Sequence, residues 1–289
     1  MFKARSLHAD VTSRLAPISD TPALDASVLI AHVLDKPRTW TLAHPEVGLS
    51  EEQQTRLDDS LARLENGEPL PYVLGLWEFF GLEFEITPNV LIPRPETELL
   101  VEKAIAWLQK NPQHVKVADI GTGSGVIAVS IAVNVPHVRI LATDVSSKVL
   151  QVAKRNATRH RVEEKIEFIE CDIFPKPTTA DQVPDLQRAT FDLLCANLPY
   201  IPTKTLSRLP IYGKEPTLAL DGGADGLDTL RKLLKAIPGR LASNGLILLE
   251  IEATLGVQSL ELARNTFNMA NIKLHQDLTG RDRLIEIQT

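Results

Sequence analysis

Apolar positions recur at helical spacing from residue 6 to about residue 63. Leu24, Val28, Leu29 and residues 31–34 form one stripe, and Leu57, Leu61 and Leu64 form another. This pattern predicts a small helical domain over residues 1–75. The period then drops to two across residues 79–86, and Thr87-Pro88-Asn89 follows as a turn sequence. Residues 76–92 are therefore expected to form a β-hairpin linker. From residue 115 short β-branched runs at 115–119, 139–144, 165–172, 191–196 and 245–251 alternate with helical stretches. Such alternation predicts a doubly wound α/β domain over residues 93–289, with a mostly parallel sheet and helices on both faces. Two further runs, 272–276 and 284–288, are separated by a polar turn too short for a crossover helix, so they are expected to pair antiparallel and complete a seven-stranded sheet.

Composition narrows the classes of function. A chain of 289 residues that is 44% hydrophobic can bury one sizeable core and a second, smaller one. A net charge of −6 and a pI of about 5.7 count against a protein that holds nucleic acid through its phosphates. Residues 1–75 carry seven Lys/Arg against eleven Asp/Glu, a surplus that suits either a solvated face or a basic protein partner. Cys171 and Cys195 lie in apolar, strand-like runs and read as small core residues, so neither a disulfide nor a metal site is expected. The first 17 residues contain no apolar targeting core. The longest nearly unbroken apolar run, 126–135, stops at Pro136, short of the roughly 18–20 residues that span a bilayer. A reduced, cytoplasmic setting without membrane insertion is expected.

Candidate chemistry begins at Asp119-Ile120-Gly121-Thr122-Gly123-Ser124-Gly125, between the first α/β strand and the helix that follows. Glycines there allow a tight turn and a close ligand approach, and the helix start offers free N–H groups. Asp144, at the end of the next strand and 23 residues after Gly121, can accept both hydroxyls of an adenosine ribose. A dinucleotide site would want a third glycine where Val126 stands. S-adenosyl-L-methionine has no pyrophosphate, so its loop need clear only the amino-acid and ribose portions. The terminal antiparallel pair also resembles the extra hairpin of class I methyltransferases. Asp172 is then expected to accept from the adenine amino group, with Ile173 and Phe174 against the ring; an ordinary loop acid is the other reading of Asp172.

The apolar run 191–196 ends at Asn197-Leu198-Pro199-Tyr200. An amide nitrogen is a poor nucleophile because its lone pair is delocalised, so an enzyme must hold its N–H groups in directions that favour a tetrahedral nitrogen. Acceptors do this. The Asn197 side-chain oxygen can take one hydrogen and the Leu198 carbonyl the other, while Tyr200 packs on the planar group. Placement and electrostatics then do most of the work, because the cofactor already carries an activated methyl.

This tetrapeptide resembles the NPPY motif shared by methyltransferases of amino groups and amides, including DNA adenine enzymes, some RNA enzymes and glutamine methyltransferases. An N6-adenine methyltransferase acting on a flipped base is the competing reading; the acidic balance and the lack of a Lys/Arg-rich recognition segment count against it. Three further segments resemble the release factor glutamine methyltransferase family. They are Glu68-Pro69-Leu70-Pro71-Tyr72-Val73-Leu74-Gly75 with Glu78-Phe79, then Leu91-Ile92-Pro93-Arg94-Pro95-Glu96-Thr97-Glu98, and Glu215-Pro216 with Ala219-Leu220-Asp221-Gly222-Gly223-Ala224-Asp225-Gly226-Leu227.

The resemblance covers nearly the whole chain. It implies a helical substrate-recognition domain, a hairpin linker and a class I methyltransferase domain. It also implies N5-methylation of the glutamine in the GGQ motif of peptide chain release factors. Cofactor contacts carry over to Gly121, Thr122, Gly123, Ser124, Gly125, Asp144, Asp172, Ile173 and Asn197, and substrate contacts to Asn197, Leu198, Pro199 and Tyr200. The 94–98 segment borders the site in that family, but its residue types alone give it no chemical role. The chain departs from the family pattern twice: Leu198 stands where proline is usual, and Glu252 stands where glycine is expected after Glu250-Ile251.

Overall fold

The computed structural model describes residues 7–175 and 185–289. The first six residues of the expected helical domain, with Lys3 and Arg5 of its charge count, lie outside the described residues. The chain divides into two compact units, Met1–Leu76 and Trp77–Thr289.

The first unit consists of helices Leu7–Leu15, Pro22–Leu34, Arg38–Ala43, Glu51–Glu65 and Leu70–Leu74. Its core is made by Val11, Leu15, Ala26, Leu29, Ile30, Val33, Leu57 and Leu61, all nearly inaccessible. Leu57, Leu61 and Leu64 are spaced at four and three residues, which puts them on one face of Glu51–Glu65. That helix starts in a capping box: the Ser50 hydroxyl accepts from the Gln53 N–H at 3.2 Å, and the Gln53 side chain accepts from the Ser50 N–H at 3.0 Å. Leu24, expected in the stripe of the second helix, is 46% exposed. The buried stripe instead starts two residues later, at Ala26, and runs through Leu29, Ile30 and Val33. Arg14 binds Asp58 and Glu65, and Arg63 binds Glu68, so part of the acidic surplus is paired.

The second unit begins at Trp77, within the hairpin of β1 (Leu76–Phe79) and β2 (Leu82–Glu85). The alternation across residues 79–86 is not one strand. Phe80 and Gly81 both take positive φ and turn the chain there, as a two-residue hairpin turn requires. Side chains fix this turn: Glu98 accepts from the Phe80 N–H at 2.9 Å and Glu78 from the Gly81 N–H at 2.8 Å. The turn at Thr87 closes with a bond from the Val90 N–H, but it joins no strands.

The sheet contains β3 (Lys116–Ile120), β4 (Arg139–Asp144), β5 (Ile166–Glu170), β6 (Phe191–Ala196), β7 (Leu241–Glu250), β8 (Asn271–Gln276) and β9 (Asp282–Gln288), in the order β5-β4-β3-β6-β7-β9-β8. Pairs among β3 to β7 are parallel; β9 runs antiparallel to both β7 and β8. One face packs Ala118, Ile120, Leu194 and Ile247 against Leu230, Leu233 and Leu234 of helix Asp228–Ala236 and Ala263 of helix Gly256–Thr266. The alternate residues Val117, Ile140, Leu193 and Leu248 are equally buried on the other face. Burial on both faces is why these strands read as near-continuous apolar runs. Chain order reverses between β3 and β6, and the crevice beyond the carboxyl ends of the strands at such a switch point is where α/β sheets bind ligands.

Cys195 is inside β6 and buried, as expected. Cys171 is not inside a strand: β5 stops at Glu170, which leaves Cys171 half-buried and Asp172 two residues beyond the end. Among the described residues no helix is long and apolar enough to cross a membrane.

Candidate active site

A cleft of about 520 Å³ opens at the switch point. One end is built from backbone. Gly121 and Thr122 both donate N–H groups to the Thr143 carbonyl at 2.8 Å, and Gly125 donates to Thr122, which winds the loop tightly before helix Val126–Asn134. Gly121 has φ 72°, and a Cβ there would lie 2.7 Å from Leu198 Cδ2, so the loop closes only around glycine. Asp119, fully buried, braces the loop from below. Its carboxylate accepts from the Thr122 hydroxyl at 2.6 Å and from the Ala128 N–H at 3.2 Å. Burial pushes its pKa up to about 7 against those bonds.

Asp144 ends β4 with its carboxylate held by the Ser146 N–H at 3.1 Å and the Gly123 N–H at 3.2 Å. Burial raises its pKa, and the backbone donors pull it back. Gly121, Thr122, Gly123, Ser124, Asp144, Cys171, Asp172 and Ile173 all line the cleft. Gly125 is the exception in the loop, packed instead against Ala153. Asp172 is about half exposed and ion-paired with Lys232, which also lines the cleft. Ile173 is held at φ 69° with its carbonyl accepting from the Thr143 hydroxyl at 2.8 Å. Phe174 is not among the cleft-lining residues; its ring stacks on Phe191 in the core, 6.1 Å centroid to centroid. Burial, then the neighbouring Asp172 charge, pushes the Cys171 thiol up to about 11.

The other end is built from side chains. Asn197, Leu198 and Pro199 continue from β6 into the cleft wall. Tyr200 instead borders an adjoining cavity of about 20 Å³ that it shares with Glu250. Asn197 Nδ2 donates to the Thr97 hydroxyl at 3.1 Å, which leaves its Oδ1 as the amide's acceptor. The Tyr200 hydroxyl lies 3.5 Å from Glu250 Oε1. The Thr229 hydroxyl donates to the Pro199 carbonyl. Gly226, at φ 83°, lies so close to the Tyr200 carbonyl that any Cβ would collide with it. The glycine-rich 221–227 segment thus clamps the backbone of the 197–200 loop.

The 94–98 segment gains a role residue by residue. Arg94 pairs with the buried Glu215 at 2.6 Å, and Glu215 also accepts from the Ile92 N–H at 3.2 Å. Thr97 orients Asn197, Glu98 holds the hairpin turn, and Glu96 faces Arg283 at 3.7 Å. Asn156 ties the hairpin to the glycine loop, donating to the Ser124 and Glu85 carbonyls and accepting from the Glu85 N–H. Sequence reasoning missed Asp119, Asn156, Thr97, Thr229 and Glu250 as site-building residues. Of these Asp119, Thr97 and Glu250 carried a signal, as members of segments already singled out; Asn156 and Thr229 carried none.

Both departures fit locally. The Leu198 side chain covers Gly121 and packs on the core. Glu252 has φ −74°, which no glycine is needed to reach, and its carboxylate caps the next turn by accepting from the Thr254 N–H at 2.7 Å.

Residues 6–75 match the PrmC N-terminal domain and residues 111–273 a methyltransferase domain. Among curated relatives, the release factor glutamine methyltransferase of Moorella thermoacetica is 39% identical over 265 residues, covering 91% of this chain and 90% of its own. The enzyme of the same name from Coxiella burnetii is 37% identical over 253 residues, 86% of each. The chain belongs to the release factor glutamine methyltransferase family. Its fold is also found in the hMettl16 catalytic domain, at a TM-score of 0.52 and 14% identity over 82% of each chain. Membership makes it a methyltransferase.

Proposed function

We propose that the protein transfers the methyl group of S-adenosyl-L-methionine to the side-chain amide nitrogen of the glutamine in the GGQ motif of peptide chain release factors. The observation that carries this reading is the orientation of Asn197: with Nδ2 engaged by Thr97, Oδ1 is left to accept at the wall of the cleft that also holds the glycine loop and Asp144.

The residues present fit the cofactor. A Cβ on Gly123 would meet nothing within 4 Å, so the loop is open towards the cleft, and the cleft is within the usual size of small-molecule sites. Gly121, Thr122, Gly123, Ser124 and Gly125 form the loop for its amino-acid portion, Asp144 accepts from the ribose hydroxyls, and Asp172 with Ile173 borders the adenine, with Asn197 close to both ligands. When bound, the cofactor supplies a methyl group already activated on a sulfonium. Asn197 Oδ1 and the Leu198 carbonyl accept the two amide hydrogens and so direct the nitrogen lone pair towards the cofactor end. Pro199 keeps Leu198 extended. Tyr200 borders the adjoining cavity, not the cleft, so in this reading the amide is held by Asn197 and Leu198. The helical unit is the recognition domain in this reading, holding a protein whose glutamine loop alone offers little surface. The protein works in the cytoplasm with its substrate.

The test is mass spectrometry of a purified release factor after incubation with the protein and S-adenosyl-L-methionine. One added methyl on the GGQ glutamine is expected. A methyl on another residue, or none while a DNA or RNA adenine is methylated, overturns the reading.

A further inference from the structure

The glycine loop spends its own donors. The N–H groups of Gly121 and Thr122 go to the Thr143 carbonyl, that of Gly123 to Asp144 and that of Gly125 to the Thr122 carbonyl, which leaves at most the Ser124 N–H of residues 121–125 for a ligand. The start of a helix is the usual place for an anion, but at helix Val126–Asn134 Asp119 already takes that place by accepting from the Ala128 N–H. Asp144, bonded to Gly123, adds a second carboxyl group beside the loop. This part of the cleft is therefore rich in acceptors. It suits the hydroxyls and the ammonium of S-adenosyl-L-methionine and offers little to the carboxylate, the one anionic group that this cofactor carries. A carboxylate withdrawn from water without donors is costly, so its partner has to come from another part of the wall.

Among the described residues two cations line the cleft, Arg94 and Lys232. Lys232 is committed to Asp172, at the corner that borders the adenine in the reading above. Arg94 is not used up. Its Nη2 donates to Glu215 Oε1 at 2.6 Å, the one hydrogen bond that the guanidinium makes among the described residues, so four of its five N–H donors remain. The Arg94 side chain keeps 26% of its surface exposed and that of Glu215 only 3%, so the anchor is sealed while the guanidinium stays reachable from the cleft. Glu215 is itself pinned by the Ile92 N–H at 3.2 Å. The glutamine amide is a poor match for Arg94. A guanidinium has only donors, and the amide nitrogen offers only N–H groups. Donation to the amide oxygen instead would draw the nitrogen lone pair further into the carbonyl and weaken the nucleophile.

We propose that Arg94 binds the carboxylate of S-adenosyl-L-methionine and that Glu215 is a positioning residue that fixes the guanidinium for it. This rests on the cofactor assignment in the reading above. It orients the amino-acid portion of the cofactor, with the ammonium towards the acceptor-rich loop and the carboxylate towards residue 94. A charged, forked donor held by a buried acid is the arrangement that recognises a carboxylate in preference to a neutral acceptor.

The experiment is titration calorimetry of the full chain with S-adenosyl-L-methionine and with its decarboxylated form, which lacks that one group. Wild type is compared with Arg94→Met, Arg94→Lys, Glu215→Gln, the Arg94→Met/Glu215→Gln double variant and Asp144→Ala, and thermal unfolding is followed for each. Wild type should prefer the complete cofactor about tenfold or more. Arg94→Met should weaken the complete cofactor by about that factor and leave the decarboxylated form within about twofold, so that the preference disappears. Arg94→Lys should keep part of it, because an ammonium retains the charge and loses the fork. Glu215→Gln should reduce the preference, and Asp144→Ala should weaken both ligands alike. Arg94→Met leaves Glu215 buried without its cation and can unfold for that reason; the double variant removes the charge and should show the same loss of preference in a folded chain. Equal losses for both ligands in the Arg94 variants, a preference that survives in the folded double variant, or an unchanged cofactor Kd with a raised KM for the release factor overturns the proposal. If wild type binds neither ligand, the cofactor reading fails and the proposal with it. If Asp144→Ala weakens cofactor binding and Arg94→Met does not, the cofactor reading stands and the proposal alone falls.

Discussion

The two ends of the cleft are built by opposite means. At the proposed cofactor end, backbone groups do the positioning: Gly121, Thr122 and Gly125 bond to carbonyls of their own loop and the adjacent strand, and Asp144 is held by the N–H groups of Ser146, at its own turn, and of Gly123, in the glycine loop. At the proposed substrate end, the positioning comes from residues far away in sequence. Thr97 is 100 residues from Asn197, and Glu250 is 50 from Tyr200. A loop that braces itself can be carried by a short motif, while a loop braced from outside needs the whole domain folded around it.

That contrast can be broken by substitution. The largest effect is expected at the substrate end, where Asn197→Ala should lower kcat/KM about a hundredfold or more while circular dichroism reports an intact fold. Near-normal methylation by that variant would mean that the 197–200 loop does not hold the nucleophile. At the cofactor end, Asp144→Ala removes the proposed ribose acceptor and should weaken S-adenosyl-L-methionine binding by about 1.5–3 kcal/mol, roughly ten- to over a hundredfold. Titration calorimetry measures this, and an unchanged Kd would reassign the ribose. The same change should leave kcat at saturating cofactor much less affected than Asn197→Ala does, which is what separates the two ends. The smallest effect should follow Glu252→Gly. It restores the family residue and removes one cap, at about a few tenths of a kcal/mol of stability, with activity within about twofold. A large gain in activity would show that Glu252 distorts the end of β7.

What could be read in advance follows the same division. The strands β3, β4 and β6 announced themselves because burial on both faces makes them continuous apolar runs, and the glycine loop because its own residues make its bonds. The antiparallel terminal pair followed from a linker too short for a crossover. The hairpin turn at Phe80-Gly81 was hidden because a phenylalanine at positive φ is held there by Glu98, from a helix that follows in the chain. The end of β5 was placed two residues too far, since Cys171 and Asp172 continue the pattern while the chain has already turned. Segment 94–98 looked mute for a plain reason: Arg94, Glu96, Thr97 and Glu98 each act on a partner that the fold, not the sequence, puts beside them.

Cys171 on the cleft wall carries a different consequence. A thiol whose pKa is about 11 is ionised in only about one molecule in ten thousand at pH 7, and it is the thiolate that reacts with electrophiles and oxidants. Cys195 is sealed in the sheet, and burial pushes its pKa well above the usual thiol range. The cleft therefore holds sulfur without offering a reactive handle, so maleimides, iodoacetamide and peroxide should pass over it at neutral pH, and a covalent probe for this pocket would have to be built around some chemistry other than cysteine capture.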